Sequence, residues 1–597
     1  MQTVIALFLL ISVLLYLLQR NVRYENRANT LEIMEEDVFQ TEGQQTASPE
    51  CMILWEEDAN GIKGRQMMED VLGQMKIPYD VCEGKQLDTG NLKKYKNVVV
   101  SMTNLQLLDE RILDVIDWAE EGGGLMFLYP PEVNGTFGLI QEELGILDVG
   151  VEMKEVEGLH FARPFMLGGE LKDYKVTDAY DSSMAVVLDP GCEIYVESDD
   201  DNPTPVIWRR NLGKGSVVFD NLGYLEKAYR GFHCAAYSLL GDYCVYPVIN
   251  GSTFYIDDFP SPVPGGESDQ IQRDYGMNIK EFYTQVWWRD VYNLAQKYGM
   301  HYTGLVIEEY SDQVEQPFDR NGDMQRYQYF GNMLLDQGGE IGFHGYNHMP
   351  LCLENFDFQG KYDSYKKWKS FDDMKASFQE LDDFCSILFP KEEFRVYVPP
   401  SNILSQEGRE MLVNDFPQIK AIASVYLPGD LAYDQEFSVS DDGMIETPRI
   451  ISGYILDDYM QIAALAELNF HFVSTHFQHP DDVLDEDRGA DLGWEEMFRR
   501  ISGYSEWLYT ASPDIRSLTG SELAAAVQRY YYVDVKRTVA DGELKLSLDG
   551  LADEAWLMLR INEGEPGTVS GGSLTNMQEG LYLLKAESPE IKIELKK

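Results

Sequence analysis

From Cys51 onward, short apolar runs alternate with amphipathic stretches, and no other feature limits the possible folds so strongly. The runs MILWE, IPYDV, NVVVSM and GLMFLY are separated by a helical stretch around Met67–Met75 and by LLDERILDVIDWAEEG. Gly122, Gly123 and Gly124 close the latter as C-cap glycines do. Strands alternating with helices predict a parallel, doubly wound α/β sheet over residues 50–245. Residues 246–527 hold four further pieces in which polar groups sit at or just past an apolar strand, the arrangement of α/β barrels. A distorted (β/α) barrel is expected there. After about residue 530, YVDVKRTV, GELKLSLDG, EAWLMLRIN, LYLLKA and IKIELKK alternate with period two between Asp-Gly and Gly-rich turns. That pattern predicts a small antiparallel β-sandwich over residues 528–597.

Residues Thr3–Leu18 read TVIALFLLISVLLYLL without a charge. At 1.5 Å per residue such a helix is about 24 Å long. Neither a basic start nor a small-residue cleavage site surrounds it. A retained transmembrane anchor is therefore expected at residues 1–20, with a polar linker over 21–49. Arg20, Arg23 and Arg27 after the span would favour a cytoplasmic body. The chemistry argues for a single-pass protein of the cell membrane with its body outside.

Charge narrows the partners. Asp and Glu total 101 against 49 Lys and Arg, a net charge of −52. Such a surface repels phosphate backbones and argues against nucleic-acid binding. The cysteines lie far apart with no C-x-x-C pair, so neither a zinc ribbon nor a disulfide framework is indicated.

The chemistry concentrates in the middle segment. In STFYIDDFPSP, Asp257 and Asp258 end a strand where the chain turns, so both can reach one site. In GGEIGFHGYNHMPL, His344 and His348 stand at i and i+4, which on a helical turn places two imidazoles on one face. Two imidazoles and a carboxylate suit zinc or a similar divalent metal. In FRVYVPPSNILS, Pro399 and Pro400 impose a rigid extended turn beside Arg395 and Tyr397. In NFHFVSTHFQHPDD, a strand runs into His476, with His479 three residues later. Ser101 follows a strand in the first region, but no G-x-S-x-G surrounds it, which makes that region a helper without its own chemistry.

The order Asp-Asp, G-x-E-I-G-x-H-x-x-x-H, a Pro-Pro turn and a strand ending in His resembles the polysaccharide deacetylases of the NodB-homology, carbohydrate esterase family 4 type. The layout of residues 50–245 is similar to class I glutamine-amidotransferase-like domains, without their nucleophilic Cys. The whole resembles membrane-anchored deacetylase-like proteins of Gram-positive Pel-type exopolysaccharide systems. This resemblance implies a metal-dependent N-deacetylase acting on hexosamines of a cell-surface or biofilm polysaccharide. It implies Asp257 as catalytic base, Asp258, His344 and His348 as ligands of a divalent metal such as Zn2+, and His476 as general acid, with His479 the other choice. Tyr346, Tyr397 and Pro399 are the expected substrate contacts. Val398 stands where the family carries an Arg before its prolines, so Arg395 or Arg449 is expected to orient the base. The implied partners are an N-acetylhexosamine polymer and exopolysaccharide synthase or export components. The missing Arg and an unmatched fourth motif keep open a catalytically degenerate binding or assembly protein on the same scaffold.

Overall fold

The computed structural model describes residues 31–39, 48–261, 266–362 and 364–596. The first α/β unit is a nine-stranded sheet. Tyr79–Glu83, Cys51–Trp55, Asn97–Ser101, Gly124–Phe127 and Gly215–Asp220 run parallel within it. Pro205–Leu212, Glu193–Ser198, Gly158–Phe161 and Tyr174–Lys175 continue it antiparallel. The sheet is thus doubly wound only in its first half. Within the sheet, Glu193–Ser198, Pro205–Leu212 and Gly215–Asp220 follow one another too closely in sequence for helical crossovers. The helix Ala59–Gln74 begins where the Asp58 side chain accepts from Gly61 N at 2.6 Å, and it buries Met67, Met68, Val71 and Leu72 on the sheet.

A second nine-stranded sheet carries the middle segment. Its spatial order is Ser438–Val439, Ile445–Glu446, Ala421–Ile422, Val396–Tyr397, Glu340–Gly345, Tyr302–Ile307, Gly251–Phe259, Val473–Gln478, Ile451–Ser452. All neighbours are parallel except the first pair. The two end strands do not pair with each other, so the expected distorted (β/α) barrel is corrected to a half-barrel. Several of its strands are only two residues long, too short to carry the stagger that closure requires. The helix Gly520–Tyr532 covers one end: Gly520 N donates to Thr303 Oγ1 at 2.8 Å and Ser521 N to Glu340 Oε2 at 2.9 Å, both at strand starts. The carboxyl ends of the strands are left for function.

Two four-stranded antiparallel sheets form a sandwich around Val535, Leu546, Leu557, Leu559, Leu584 and Ile593. One strand, Tyr243–Val248, comes from far upstream and pairs with Ala555–Ile561. Only Ile249 and Asn250 separate it from the half-barrel strand Gly251–Phe259. Part of the expected linker is docked: Gln528 bonds both Met34 N and Met34 O, and the Phe39 ring stacks on Tyr532 at 4.8 Å.

The membrane expectation is also corrected. Among the described residues no helix is long and apolar enough to cross a membrane, so the structure gives no support to the expected transmembrane helix or single-pass location. The apolar run Thr3–Leu18 itself lies outside the described residues.

Candidate metal centre

Three of the sequence candidates converge at the carboxyl ends of Gly251–Phe259 and Glu340–Gly345, the two strands that flank Tyr302–Ile307. Asp258 Oδ1 lies 3.4 Å from His344 Nε2 and 3.7 Å from His348 Nε2. All three ligand atoms fall within 4.8 Å of one another. Asp258 reaches this position because the strand is irregular: its pairing with Tyr302–Ile307 shifts register between Ile256 and Phe259, and Asp258 adopts φ +55°. A bulge of this kind re-aims a side chain, and a left-handed non-glycine residue at such a place stores strain. It lets neighbouring aspartates face one site.

The imidazole spacing has a different origin from the helical turn expected. His344 lies within the strand Glu340–Gly345 and His348 in the bend that follows. Gly345, at φ +150°, makes that bend; a Cβ there would sit 2.7 Å from Asn347 O. His344 Nδ1 donates to Val398 O at 2.8 Å, which turns Nε2 toward Asp258. His348 Nδ1 meets the Tyr365 hydroxyl at 3.0 Å, and that hydroxyl bonds Ser401 Oγ in turn.

The donor set fits a divalent cation. Asp258 Oδ1 and His344 Nε2 are buried and have no hydrogen-bond partner. Unsatisfied buried polar atoms are costly, and an ion between them would relieve that cost. Burial lowers the pKa of His344, and it pushes His348 down to about 4 against the pull of Asp258. Both rings are therefore neutral at ordinary pH, as metal ligation requires.

Asp257 takes a separate position. Arg449 Nη1 spans its two oxygens at 2.8 and 2.6 Å. The guanidinium also donates through Nε to Ser424 O at 3.1 Å and through Nη2 to Asn402 Oδ1, and it lies 3.8 Å over the Phe477 ring. Burial opposes a charge on Asp257, but Arg449, with His344 and His479, holds its carboxyl below the usual range. Arg395 is absent from this cluster; it pairs with exposed Glu393.

His479 sits against Asp257, Nε2 to Oδ2 at 3.6 Å, with Nδ1 3.5 Å from Asp482 Oδ1. Burial works against a charge on this ring. The hydrogen bond and charge of Asp482, joined by Asp257 and Asp258, push it up to about 9. Arg488 Nη1 lies 2.8 Å from the same Nδ1, a contact suited to a neutral ring, and 2.6 Å from Asp482 Oδ1. Asp257, Asp482 and Arg488 thus hold the ring from both of its nitrogens. His476 is not part of this group. Its Nε2 donates to Gly453 O at 2.7 Å, it packs near Phe254 and Tyr504, and burial pushes it down to about 4.

The expected substrate contacts are likewise elsewhere. Tyr346 is buried and donates to Asp319 O at 2.8 Å; Tyr397 and Pro399 are also buried. None offers a face to a sugar. The opening of the site lies at His348, the most accessible of the three ligands, with Tyr365 beside it. Tyr310 exposes about half its surface while its hydroxyl end faces Asp258 and Asp481. Sequence reasoning missed Asp482, Arg488, Tyr365 and Tyr310. The first carried a signal, three residues after His479 in a short turn opened by Pro480.

A family model described as "Uncharacterised protein conserved in bacteria (DUF2194)" matches residues 8–188 and 192–583. The chain belongs to this family. No curated protein matches this DUF2194 chain. Among solved structures, a β-galactosidase from Bacillus circulans sp. alkalophilus is 13% identical, covers 30% of this chain and has a TM-score of 0.23. The match spans 29% of that galactosidase. A protein assigned as a polysaccharide deacetylase from Mycobacterium smegmatis is 15% identical over 47% of this chain and 91% of its own, with a TM-score of 0.30. A glutamine amidotransferase from Thermotoga maritima is 12% identical over 31% of this chain and 80% of its own, with a TM-score of 0.23.

Proposed function

We propose that this DUF2194 protein is a metal-dependent hydrolase that removes N-acetyl groups from hexosamine residues of a polysaccharide. The observation that carries the reading is the pairing of two ligand atoms without hydrogen bonds, on Asp258 and His344, with an Arg449-held Asp257 and His479 beside them.

Asp258, His344 and His348 would hold the ion, zinc being the natural choice for two imidazoles and one carboxylate. A bound divalent ion there supplies Lewis acidity toward the amide carbonyl and lowers the pKa of water. The remaining work falls to the chain. Asp257 is ionised and accepts the proton of the attacking water. Arg449 fixes the direction of its oxygens and keeps it charged. An amine leaves poorly unless protonated, and His479 carries the proton for its nitrogen. Asp482 holds that ring in place. The products are acetate and a free amino sugar. In this reading His479 takes the acid role that the family resemblance first assigned to His476, and Arg449 fills the place of the missing Arg.

The test is acetate release from an N-acetylhexosamine polymer by zinc-loaded protein, with Asp257→Asn and His479→Gln as controls. Release lost in both variants supports the reading. Polymer retention without acetate release would instead identify a binding protein on the same scaffold.

A further inference from the structure

The helical segment over residues 279–298 is interrupted by a π turn, Tyr283–Trp287, between Ile279–Phe282 and Trp288–Tyr298. Such turns are frequent at functional sites. This one connects two places. The Tyr283 hydroxyl donates to Pro480 O, in the residue after His479. Gln285 and Val286 of the same turn line a cavity of about 330 Å³, a size that small-ligand sites commonly have. A second part of the lining comes from the start of the helix Trp494–Ala511, which contributes Trp494, Glu495 and Phe498.

The aromatic lining is held in place by the protein. The Trp494 and Phe498 rings are 5.5 Å apart and 33° from parallel, and Tyr275 lines the cavity with them. Phe282 braces two of the three, its ring 5.1 Å from Tyr275 and 6.3 Å from Trp494. Trp494 Nε1 donates to Asp290 Oδ2 at 2.9 Å, and the indole packs 5.2 Å from Tyr454. The polar lining keeps unused capacity. Glu495 and Gln285 are exposed, and their side chains make no hydrogen bond or ion pair with another described residue. Arg289 Nη2 stands 3.7 Å from Asp290 Oδ1, so those two charges offset each other. The Glu495 carboxylate remains unmatched beside aromatic rings. Both the ring quadrupoles and that carboxylate attract an ammonium group, and both disfavour an anion.

We propose that this cavity is a saccharide subsite for an amino-sugar unit, with the ammonium at Glu495, the ring against Trp494 and Phe498, and a hydroxyl on the Gln285 amide. The proposal rests on the deacetylase reading for the source of its ligand, since removal of an acetyl group produces this ammonium. It adds that polymer already processed in part is held at a place apart from the metal centre, none of whose residues lines the cavity. Charge complementarity then selects amino sugars over neutral ones, as charge at a binding surface governs specificity more than raw affinity.

Binding to the zinc-loaded full chain by surface plasmon resonance tests this with a glucosamine hexamer and with cellohexaose, a neutral hexamer without acetyl groups, at mildly acidic pH where the amines are protonated. The glucosamine hexamer should bind about tenfold tighter than cellohexaose, an advantage that shrinks with added salt. Glu495→Gln should erase most of that advantage, whereas Glu152→Gln, which removes an exposed acid of the first α/β unit, should preserve it. Phe498→Ala should weaken binding of the glucosamine hexamer by about five- to tenfold, with thermal melting used to confirm the fold. Equal binding of the two hexamers, an advantage that survives Glu495→Gln, or an equal loss in Glu152→Gln overturns the subsite and leaves the deacetylase reading standing on acetate release. Binding that depends on Glu495 in a protein that releases no acetate keeps the amino-sugar subsite and overturns the deacetylase reading.

Discussion

The two nine-stranded sheets start from the same plan, parallel strands whose carboxyl ends carry polar residues, yet only one of them makes a site. At the end of Cys51–Trp55, buried Glu56 accepts from Thr103 N, Thr103 Oγ1 and Asn104 N at 2.5, 2.7 and 2.9 Å. All three of these bonds fall on its Oε1. Ser101 nearby has only neighbours at 3.5 Å, Gly61 O and the Tyr129 hydroxyl, and no base beside it. In the half-barrel, Asp258 Oδ1 and His344 Nε2 face each other at 3.4 Å with no hydrogen bond from the described residues. What separates scaffold from site is therefore the unmet bonding capacity of the polar groups, more than their number.

The strongest way to break this comparison is to exchange the expectations. Asp258→Asn should abolish stoichiometric zinc binding in calorimetry and metal analysis, with little loss of fold, because it removes a strained and unsatisfied charge. Glu56→Gln should leave zinc binding untouched and cost about 1–3 kcal/mol in urea unfolding, since it disturbs satisfied bonds. Equal zinc loss in both variants would erase the distinction.

Next in size is Asp257 and its clamp. Arg449→Met leaves Asp257 buried without its partner, and unfolding should show a loss of about 3–5 kcal/mol. Arg395→Met, which touches only exposed Glu393, should change stability by less than about 1 kcal/mol. Comparable losses would mean that the Asp257 pair is worth no more than a surface contact.

Two histidines of the segment NFHFVSTHFQHPDD, His476 and His479, sharpen the contrast through pH. His476 is neutral and pushed down to about 4 when folded, against an ordinary value of 6.5. Between those values the unfolded chain takes up the proton and the folded one does not. Stability should therefore fall as pH drops from about 6.5 toward 4, by at most about 3 kcal/mol from this group. His476→Gln, able to keep a donor for Gly453 O, should flatten that slope. His479 behaves oppositely: raised to about 9, it contributes stability below its unfolded value that is lost as pH rises through the folded one.

The smallest effect concerns the support behind the ligands. Tyr365→Phe removes the hydroxyl on His348 Nδ1 and should weaken zinc binding about tenfold, as loss of such outer contacts commonly does. An unchanged affinity would show that Ser401 and Tyr365 do not orient His348.

These tests follow how much of the molecule the sequence made legible. Asp257, Asp258, His344 and His348 were readable because local strand patterns carry them to strand ends. The spacing of the histidines was right for the wrong reason, a glycine bend in place of a helix. Arg449 could be named only as a substitute, because its contact with Asp257 spans 192 residues and leaves no local trace. Tyr346 and Tyr397 were chosen for aromatic character beside the motifs, but core packing claimed them both. The half-barrel was missed for a similar reason: its closing strands are two-residue pairings held by tertiary contacts, with no run of alternating residues to announce them.

The path of the chain through the sandwich has a consequence for engineering and for descent. Because Tyr243–Val248 is an inner strand's partner there and leads within two residues into the segment bearing Asp257 and Asp258, the terminal lobe cannot be excised as a cassette. Cutting the chain after the helix Gly520–Tyr532 would remove the partner of that strand and bare Val245, a member of the lobe's core. A shuffled or shortened relative would have to replace this lobe rather than simply drop it.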